Sequence, residues 1–278
     1  IFHGTVWDMA DASQLKTEFE SLDIRLAQLC NEPETDTARA LDDRYQILGV
    51  LGEGGMKCVR EAFDDITGRK VAIALLRGEQ TSDRVAAFRR EAQLNASLGH
   101  PTIIPVYDVG MLADDQPFFI MPLTCGRSLG DVLRALKAGD TDTERLFPIS
   151  RLLDIFIKIC DGMAYAHSRN VLHLDLKPDN IQVGEFGEAF ICDWGLARVL
   201  DQADTETGLT ETDLNVDLLN HLTLDGVVKG TPGYMAPEQA DGGEKTKATD
   251  IYSLGAVLYA ILTLQPPAAD ETASAMLK

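Results

Sequence analysis

The sequence lacks features that would each indicate a class of protein. It has no run of 18 apolar residues, so we expect no membrane span. Basic residues are few, with 25 Lys and Arg against 44 Asp and Glu and a net charge of −19. This charge argues against sequence-independent binding to nucleic acid and against an anionic membrane surface. The five cysteines are odd in number and lack metal-ligand spacing, which favours buried, reduced thiols in a cytosolic protein.

The composition fits a soluble globular protein, with 45% hydrophobic and 25% charged residues. A length of 278 residues leaves room for one large domain or two lobes. No signal peptide is recognisable, which predicts a cytoplasmic location. Because the first residue is Ile1 and not methionine, we expect the chain to be a piece of a longer protein.

Residues 1–44 have the pattern of an extension that contains one amphipathic helix of roughly 20 residues, followed by a polar linker. A stripe of this kind is too apolar to remain exposed, so we expect it to dock on the domain or on a second copy of the chain. The stripe consists of Leu15, Phe19, Leu22, Leu26 and Leu29.

From Tyr45 onward, strand patterns dominate. The stretches "YQILGVL", "KCVREAF", "RKVAIALL", "TIIPVYDVG" and "PFFIMPL" predict five strands, with one helix, "SDRVAAFRREAQLNASL", after the third. After Thr124 the pattern becomes helical, and the apolar stretch "SLGAVLYAILTL" predicts a buried helix. The order predicts an α+β architecture, with a sheet lobe over 45–123, a helical lobe over 124–278 and a cleft between them.

Four motifs carry chemistry. The glycine-rich turn "LGEGGMKCV" between two strands is typical of loops that cradle phosphates. The stretch "HLDLKPDN" puts Asp175, Lys177 and Asn180 on one loop, and "DWG" puts Asp193 thirteen residues after Asn180. The stretch "GTPGYMAPE" follows. Carboxylate and amide oxygens suit Mg²⁺, and phosphoryl transfer requires positioning and charge neutralisation more than covalent chemistry.

With these motifs the chain resembles the eukaryotic-like protein kinases, in particular the bacterial, Hanks-type Ser/Thr branch. The resemblance covers about residues 45–270 and six motifs in order. It implies a two-lobed fold, ATP and Mg²⁺ as cofactors, and a protein substrate. It also implies further helices of the lower lobe, and we expect these to be absent here, because this sequence stops soon after Pro267.

The resemblance assigns roles to the polar residues of these loops. Asn180 and Asp193 are expected to hold the metal, and Asp175 is expected to orient the substrate hydroxyl or accept its proton. Lys177 is expected to steady the transferred phosphoryl group, and Thr231 to contact the same loop.

The resemblance also assigns the nucleotide site. Glu91 matches the helix glutamate that pairs with the catalytic lysine, and Met121 matches the gatekeeper. The expected nucleotide contacts are Gly52, Gly54, Gly55, Val59, Ala72, Met121, Pro122, Thr124 and Gln182.

Three positions depart from the family pattern. Leu174 replaces the arginine that pairs with a phosphorylated activation loop, and Gln182 replaces an apolar residue beneath adenine. Ala74 occupies the place of the strand lysine. At the third glycine position stands Lys57, which alternation along a strand puts on the same face as Val59. At this point only, the sequence looks like the with-no-lysine kinases, so we expect Lys57 to replace the missing lysine.

Two other interpretations stay open. In the first, Lys57 is a solvated loop lysine, and the chain is a pseudokinase that acts as a nucleotide-binding or scaffold module. In the second, the chain is a small-molecule phosphotransferase. The stretch "GTPGYMAPE", which resembles a protein-substrate docking loop, argues against this last reading.

Overall fold

The computed structural model describes residues 44–54, 56–112, 115–124, 126–200 and 232–267, which all fall within one compact unit. Several predictions concern residues outside these ranges. They are the apolar stripe from Leu15 to Leu29, the roles of Gly55 and Thr231, and the chain after Pro267.

The first lobe is an antiparallel sheet in the order β1-β2-β3-β5-β4. The turn between β2 and β3 ends at the glycine that the sequence provides there. Gly68 has a φ of 64°, which suits glycine, and its amide donates to the Asp64 carbonyl. The strands are β1 (Tyr45–Glu53), β2 (Lys57–Asp64), β3 (Arg69–Leu76), β4 (Asp108–Met111) and β5 (Pro117–Pro122).

Alternation along β3 divides its side chains between two apolar clusters. Val71, Ile73 and Leu75 pack with Phe118 on one face of the sheet. On the other face, a second cluster joins the sheet to helix α1 (Ser82–Ser97). Its buried members are Ala74, Leu76, Phe88, Ala92 and Phe119.

The predicted strand "TIIPVYDVG" is wrong in its first half, because β4 begins only at Asp108. The preceding residues extend along the second lobe instead. The Ile191 amide donates to the Thr102 carbonyl at 2.7 Å, and the Ile104 amide donates to the Ile191 carbonyl at 3.2 Å. Pro105 has no amide N–H to donate within a sheet, which disfavours a strand here. The hydrogen bonds of this segment therefore join the two lobes.

The second lobe is mainly helical. Helix α4 presents Leu152, Ile155, Ile159 and Met163 to the core, at the spacing of one helix face. The helices are α2 (Leu129–Lys137), α3 (Thr141–Leu146), α4 (Ile149–Ser168), α5 (Pro237–Ala240) and α6 (Lys247–Thr263). None of the helices in the described ranges is long and apolar enough to cross a membrane.

Helix α6 begins at a capping box formed by Thr246 and Thr249. The sequence predicts a buried helix here, but burial covers one face only. Val257 and Ile261 lie in the core, whereas Ile251 and Leu262 are exposed.

Short strands complete this lobe. Strand β6 (Arg127–Ser128) pairs with β8 (Ile181–Val183), which pairs with β9 (Ala189–Ile191), while β7 (Val171–Leu172) pairs with β10 (Arg198–Val199). The loop that carries "HLDLKPDN" runs from β7 to β8 and contains a 3₁₀ turn at Pro178–Asn180. The predicted two-lobed α+β fold is confirmed.

Candidate active site

A cavity of about 350 Å³ lies between the lobes. Strands β1, β2 and β3, helix α1, the segment after β5 and the β8–β9 hairpin all contribute to its wall. Of the residues predicted from sequence, the wall contains Gly52, Lys57, Val59, Ala72, Glu91, Met121, Pro122, Thr124, Asn180, Gln182 and Asp193. Gly54, Asp175 and Lys177 are described but lie outside the wall.

Lys57 is the first residue of β2, and its side chain enters this cavity. Strand register pairs Lys57 with Leu76 and Val59 with Ala74, so Lys57 and Val59 share the face of the sheet toward helix α1. The Lys57 ammonium donates to Glu91 Oε1 and, at 2.9 Å, to Asp193 Oδ1. One cation therefore joins the glycine turn, the helix and the "DWG" loop.

Ala74 occupies the strand position that faces the same cation. Its side chain is fully buried beside Phe88 and Phe119. The Lys57 Nζ lies 6.0 Å from the centre of the Phe119 ring. A methyl group thus fills the place of the strand lysine, while an ammonium group from the neighbouring strand reaches Glu91.

Burial and charge act against each other in this cluster. Burial alone lowers the pKa of Lys57, but the carboxylates of Glu91 and Asp193 raise it above its usual value. Burial raises the pKa of Glu91, and the Lys57 charge opposes that shift. Burial also acts to raise the pKa of Asp193, yet the Lys57 ammonium holds it below its usual value. Lys57 is therefore a cation and Asp193 an anion at neutral pH.

A carboxylate of helix α6 fixes the backbone of the loop between β7 and β8. Asp250, fully buried, accepts the backbone N–H groups of His173 and Leu174, each at 2.9 Å. Its Oδ2 also lies 2.8 Å from His167 Nε2. Leu174 has a φ of 64°, in the left-handed region, and these two hydrogen bonds fix that backbone.

Asp175 accepts hydrogen bonds from two other polar side chains of the loop. Its Oδ2 accepts from Lys177 Nζ at 2.9 Å and from Asn180 Nδ2 at 3.1 Å. Asn180 Nδ2 also donates to the Asp175 carbonyl at 2.8 Å. Because the amide nitrogen of Asn180 is bound in this way, its carbonyl oxygen is the group left to act as an acceptor in the cavity.

Asn180 and Asp193 provide an amide oxygen and a carboxylate in the same cavity, which are the donor types that Mg²⁺ prefers. Asp193 has a φ of 63°, in the left-handed region. No group of three or more His, Cys, Asp or Glu suited to a metal occurs among the residues described. Mg²⁺ sites built from one or two protein ligands and substrate phosphates need no such group, so these residues fit the ion.

Gly195 has a steric role in this loop. A Cβ there would lie 3.2 Å from Glu91 Oε2 and 3.4 Å from Asp193 Oδ1. Arg90, the residue before Glu91 in helix α1, is buried and donates to the Ala197 carbonyl at 2.7 Å. This hydrogen bond connects helix α1 to the chain after the "DWG" loop.

Sequence reasoning missed several residues of the wall. Asn95 follows Glu91 by one helical turn, and this i, i+4 spacing was a signal that could have identified it. Asp179 lies beside the predicted metal ligand Asn180, and Cys192 lies beside Asp193. Burial raises the pKa of the Cys192 thiol to about 12. The remaining members are Leu51, Ile104, Phe119, Leu123 and Gly126.

Comparison with known proteins agrees with this geometry. Residues 45–278 match the family described as protein kinase domain. The serine/threonine-protein kinase PknD of Protochlamydia amoebophila is 41% identical over 231 residues, which are 81% of this chain and 23% of that protein. The proteins of the same name from Chlamydia caviae and Chlamydia pneumoniae are 38% and 39% identical over 232 residues, 81% of this chain and 24% of each relative.

The chain spans about a quarter of the length of these curated relatives. The family match covers most of the chain, and the two lobes, the cavity and the motif loops agree with it. The chain therefore belongs to the protein kinase family, with bacterial Hanks-type kinases among its relatives.

Proposed function

We propose that this chain is a serine/threonine protein kinase domain that transfers the γ-phosphate of ATP to protein hydroxyl groups, with Lys57 in the role of the absent strand lysine. The observation that carries the proposal is the pair of contacts from the Lys57 ammonium to Glu91 and Asp193. The names of the PknD relatives support the substrate class.

The loop residues have contacts that suit their proposed roles. Asp175, fixed by Lys177 and Asn180, would orient the substrate hydroxyl and accept its proton. Lys177 would then turn its ammonium from Asp175 toward the transferred phosphoryl group. Thr231, outside the described residues, is proposed to contact this loop. We propose domain boundaries at 45–123 and 124–278.

A protein kinase domain uses ATP and Mg²⁺ in general. In this chain Asn180 and Asp193 would hold the metal, and when bound it neutralises charge on the phosphates. Lys57 would supply a second, fixed cation from the opposite wall. Val59, Ala72, Met121 and Gln182 line the part of the cavity proposed for adenine.

The cellular setting is also a proposal. Cys58, Cys160 and Cys192 are free thiols, which suits a reducing, cytoplasmic compartment. The predicted N-terminal stripe is proposed to dock on the domain or to mediate dimerisation.

The test is a γ-phosphate transfer assay with Mg²⁺ and a generic basic protein. Asp193→Asn, which removes a metal ligand but keeps the shape of the side chain, is the blank. We expect transfer by the wild-type chain well above this blank. Equal, background-level transfer by both would favour the pseudokinase reading, in which the cavity binds nucleotide or a partner without catalysis.

A further inference from the structure

Two acceptor atoms in the cavity wall are unsatisfied. Asn95 is 4% exposed and lines the cavity from helix α1, one turn after Glu91. Within the described part of the chain, neither Asn95 Oδ1 nor Glu91 Oε2 has a hydrogen-bond partner, although both atoms are buried. The other oxygen of Glu91 accepts from Lys57.

The Asn95 amide has an energetic cost to the fold. The cavity wall that Asn95 joins also includes the apolar or weakly polar side chains of Ile104, Phe119 and Cys192. A buried polar group without a partner destabilises a protein by about 1–3 kcal/mol, whereas an apolar group of the same shape is nearly neutral or stabilising. A leucine at this position would therefore suit folding better than asparagine. Features that oppose stability in this way are concentrated at functional sites.

Helix geometry indicates Glu91 as the hydrogen-bond acceptor for the Asn95 amide. Side chains at positions i and i+4 of a helix are neighbours on one face. An asparagine amide carries two N–H donors as well as its oxygen, and a half-turn about its last torsion exchanges them. The amide of Asn95 can thus present a donor toward Glu91, whose Oε2 lacks one in the described residues.

The chemistry explains when this hydrogen bond is needed. In the structure, Lys57 is shared between Glu91 and Asp193. If Asp193 holds a metal and Lys57 contacts phosphates, the contact between Lys57 and Asp193 has to give way. Glu91 then has to fix the lysine alone, and a carboxylate anchored through only one oxygen is free to rotate.

We propose that Asn95 is a positioning residue, whose amide N–H binds Glu91 Oε2 and holds the Glu91 carboxylate for its ion pair with Lys57 during phosphoryl transfer. This inference rests on the proposed function of Lys57. It assigns to Asn95 no contact with the substrate or the nucleotide.

The test compares Asn95→Leu and Asn95→Asp with the control Gln93→Leu, a change at an exposed position of the same helix. Asn95→Leu should unfold at the same or a higher temperature than the wild type, while its kcat falls roughly 10- to 100-fold and its KM for ATP changes little. Asn95→Asp should lose at least as much kcat, because a carboxylate accepts hydrogen bonds and repels Glu91. Gln93→Leu should leave all three quantities unchanged.

A second readout does not depend on catalysis. In protein labelled with ¹⁵N-lysine and saturated with Mg²⁺ and a non-hydrolysable ATP analogue, proton exchange of the Lys57 ammonium reports how firmly Glu91 holds it, and Lys57→Met assigns the signal. We expect exchange roughly tenfold faster in Asn95→Leu than in the wild type or in Gln93→Leu, which corresponds to about 1.4 kcal/mol.

The outcomes separate the two proposals. If the wild type transfers no phosphate but Asn95→Leu speeds exchange at Lys57, the proposed activity fails, while the hydrogen bond by which Asn95 holds Glu91 for its ion pair with Lys57 stands. If the wild type is active and both Asn95 variants keep its kcat and exchange rate, Asn95 has no such role. Should Asn95→Leu fail to fold, the same measurements on Asn95→Asp decide.

Discussion

Two ion-pair clusters, one in the sheet lobe and one in the cleft, differ in how completely their polar groups are satisfied. At the start of β1, Arg44 binds both Asp64 and Asp108. Asp64, 2% exposed, accepts from Arg44 and also from the backbone and side chain of the β2–β3 turn. In the cleft, Lys57 likewise binds two carboxylates, yet Glu91 Oε2 has no partner among the residues described.

This difference separates a cluster that stabilises the fold from a cluster at the candidate active site. Complete satisfaction of Asp64 holds its pKa at about 2, because the Arg44 guanidinium and the turn hydrogen bonds favour the anion. The cleft cluster keeps a buried, unpaired acceptor and a left-handed Asp193. Incomplete satisfaction together with strain is typical of functional sites. The predictions below test this contrast.

Lys57→Met should have the largest effect, on catalysis. Loss of one preorganised charge contact to a transition state costs about 3–4 kcal/mol, or roughly 10²- to 10³-fold in rate. The matched control is Lys70→Met, which breaks an exposed pair between Lys70 and Glu61 and should leave the rate unchanged. Both variants are compared in the γ-phosphate transfer assay.

A rescue experiment sharpens this prediction. Ala74→Lys should partly restore transfer to Lys57→Met, because Glu91 is in place to orient the new side chain. In the otherwise native chain Ala74→Lys should help little, since two ammonium groups would crowd one site. Equal rates for Lys57→Met and the wild type would contradict the proposed role of Lys57.

Asp64→Asn should have the next largest effect, on stability. Removing the charged partner of Arg44 should lower the free energy of unfolding by about 1.5–3 kcal/mol, because this carboxylate is buried and fully hydrogen-bonded. Asp65→Asn, at the exposed neighbour whose carboxylate accepts from Gln46, should change it by less than about 0.5 kcal/mol. Urea denaturation measures both, and activity per folded molecule should stay unchanged in each.

Acid should remove the Asp64 contribution in a defined window. The folded-state pKa of about 2 lies below the ordinary value of 3.8. The contribution is therefore present above pH 4 and is lost as pH falls toward about pH 2. The stability difference between wild type and Asp64→Asn should shrink by about 2 kcal/mol over this range. A difference that is independent of pH would show that the Asp64 charge is not what stabilises the turn.

Gln182→Leu should have a smaller effect, on nucleotide affinity. Gln182 lines the cavity with Val59 and Ala72, and covering its amide with adenine would cost free energy if the amide then found no partner. We expect ATP binding, measured by calorimetry, to tighten by up to about tenfold or to stay the same. Marked weakening would mean that the amide makes a useful contact with the nucleotide.

Phosphatase treatment should have the smallest effect. Leu174 is buried and supplies backbone hydrogen bonds in place of a cation for a phosphorylated loop. The threonines tested lie in an acidic segment outside the described residues, where added charge should repel more than it orders. They are Thr205, Thr207, Thr210, Thr212 and Thr223. A large loss of transfer that rephosphorylation restores would overturn this expectation.

The sequence alone determined most of the elements and the chemistry of the motif loops. Strand alternation put Lys57 on the face of Val59, and turn residues marked the ends of β2 and β3. The stretch "HLDLKPDN" brought Asp175, Lys177 and Asn180 together within one loop, because residues so close along the chain stay close in space. Local periodicity and short spacing were sufficient for these predictions.

Only the tertiary structure decided which distant groups meet. Lys57 reaches Glu91 across 34 residues and Asp193 across 136, and these distances depend on how a strand, a helix and a loop pack. Packing also laid the segment before β4 against Ile191, where its pattern had predicted a strand of the sheet. It likewise buried Asn95 in the cavity wall, because burial is a property of the assembled lobes and not of the helix alone.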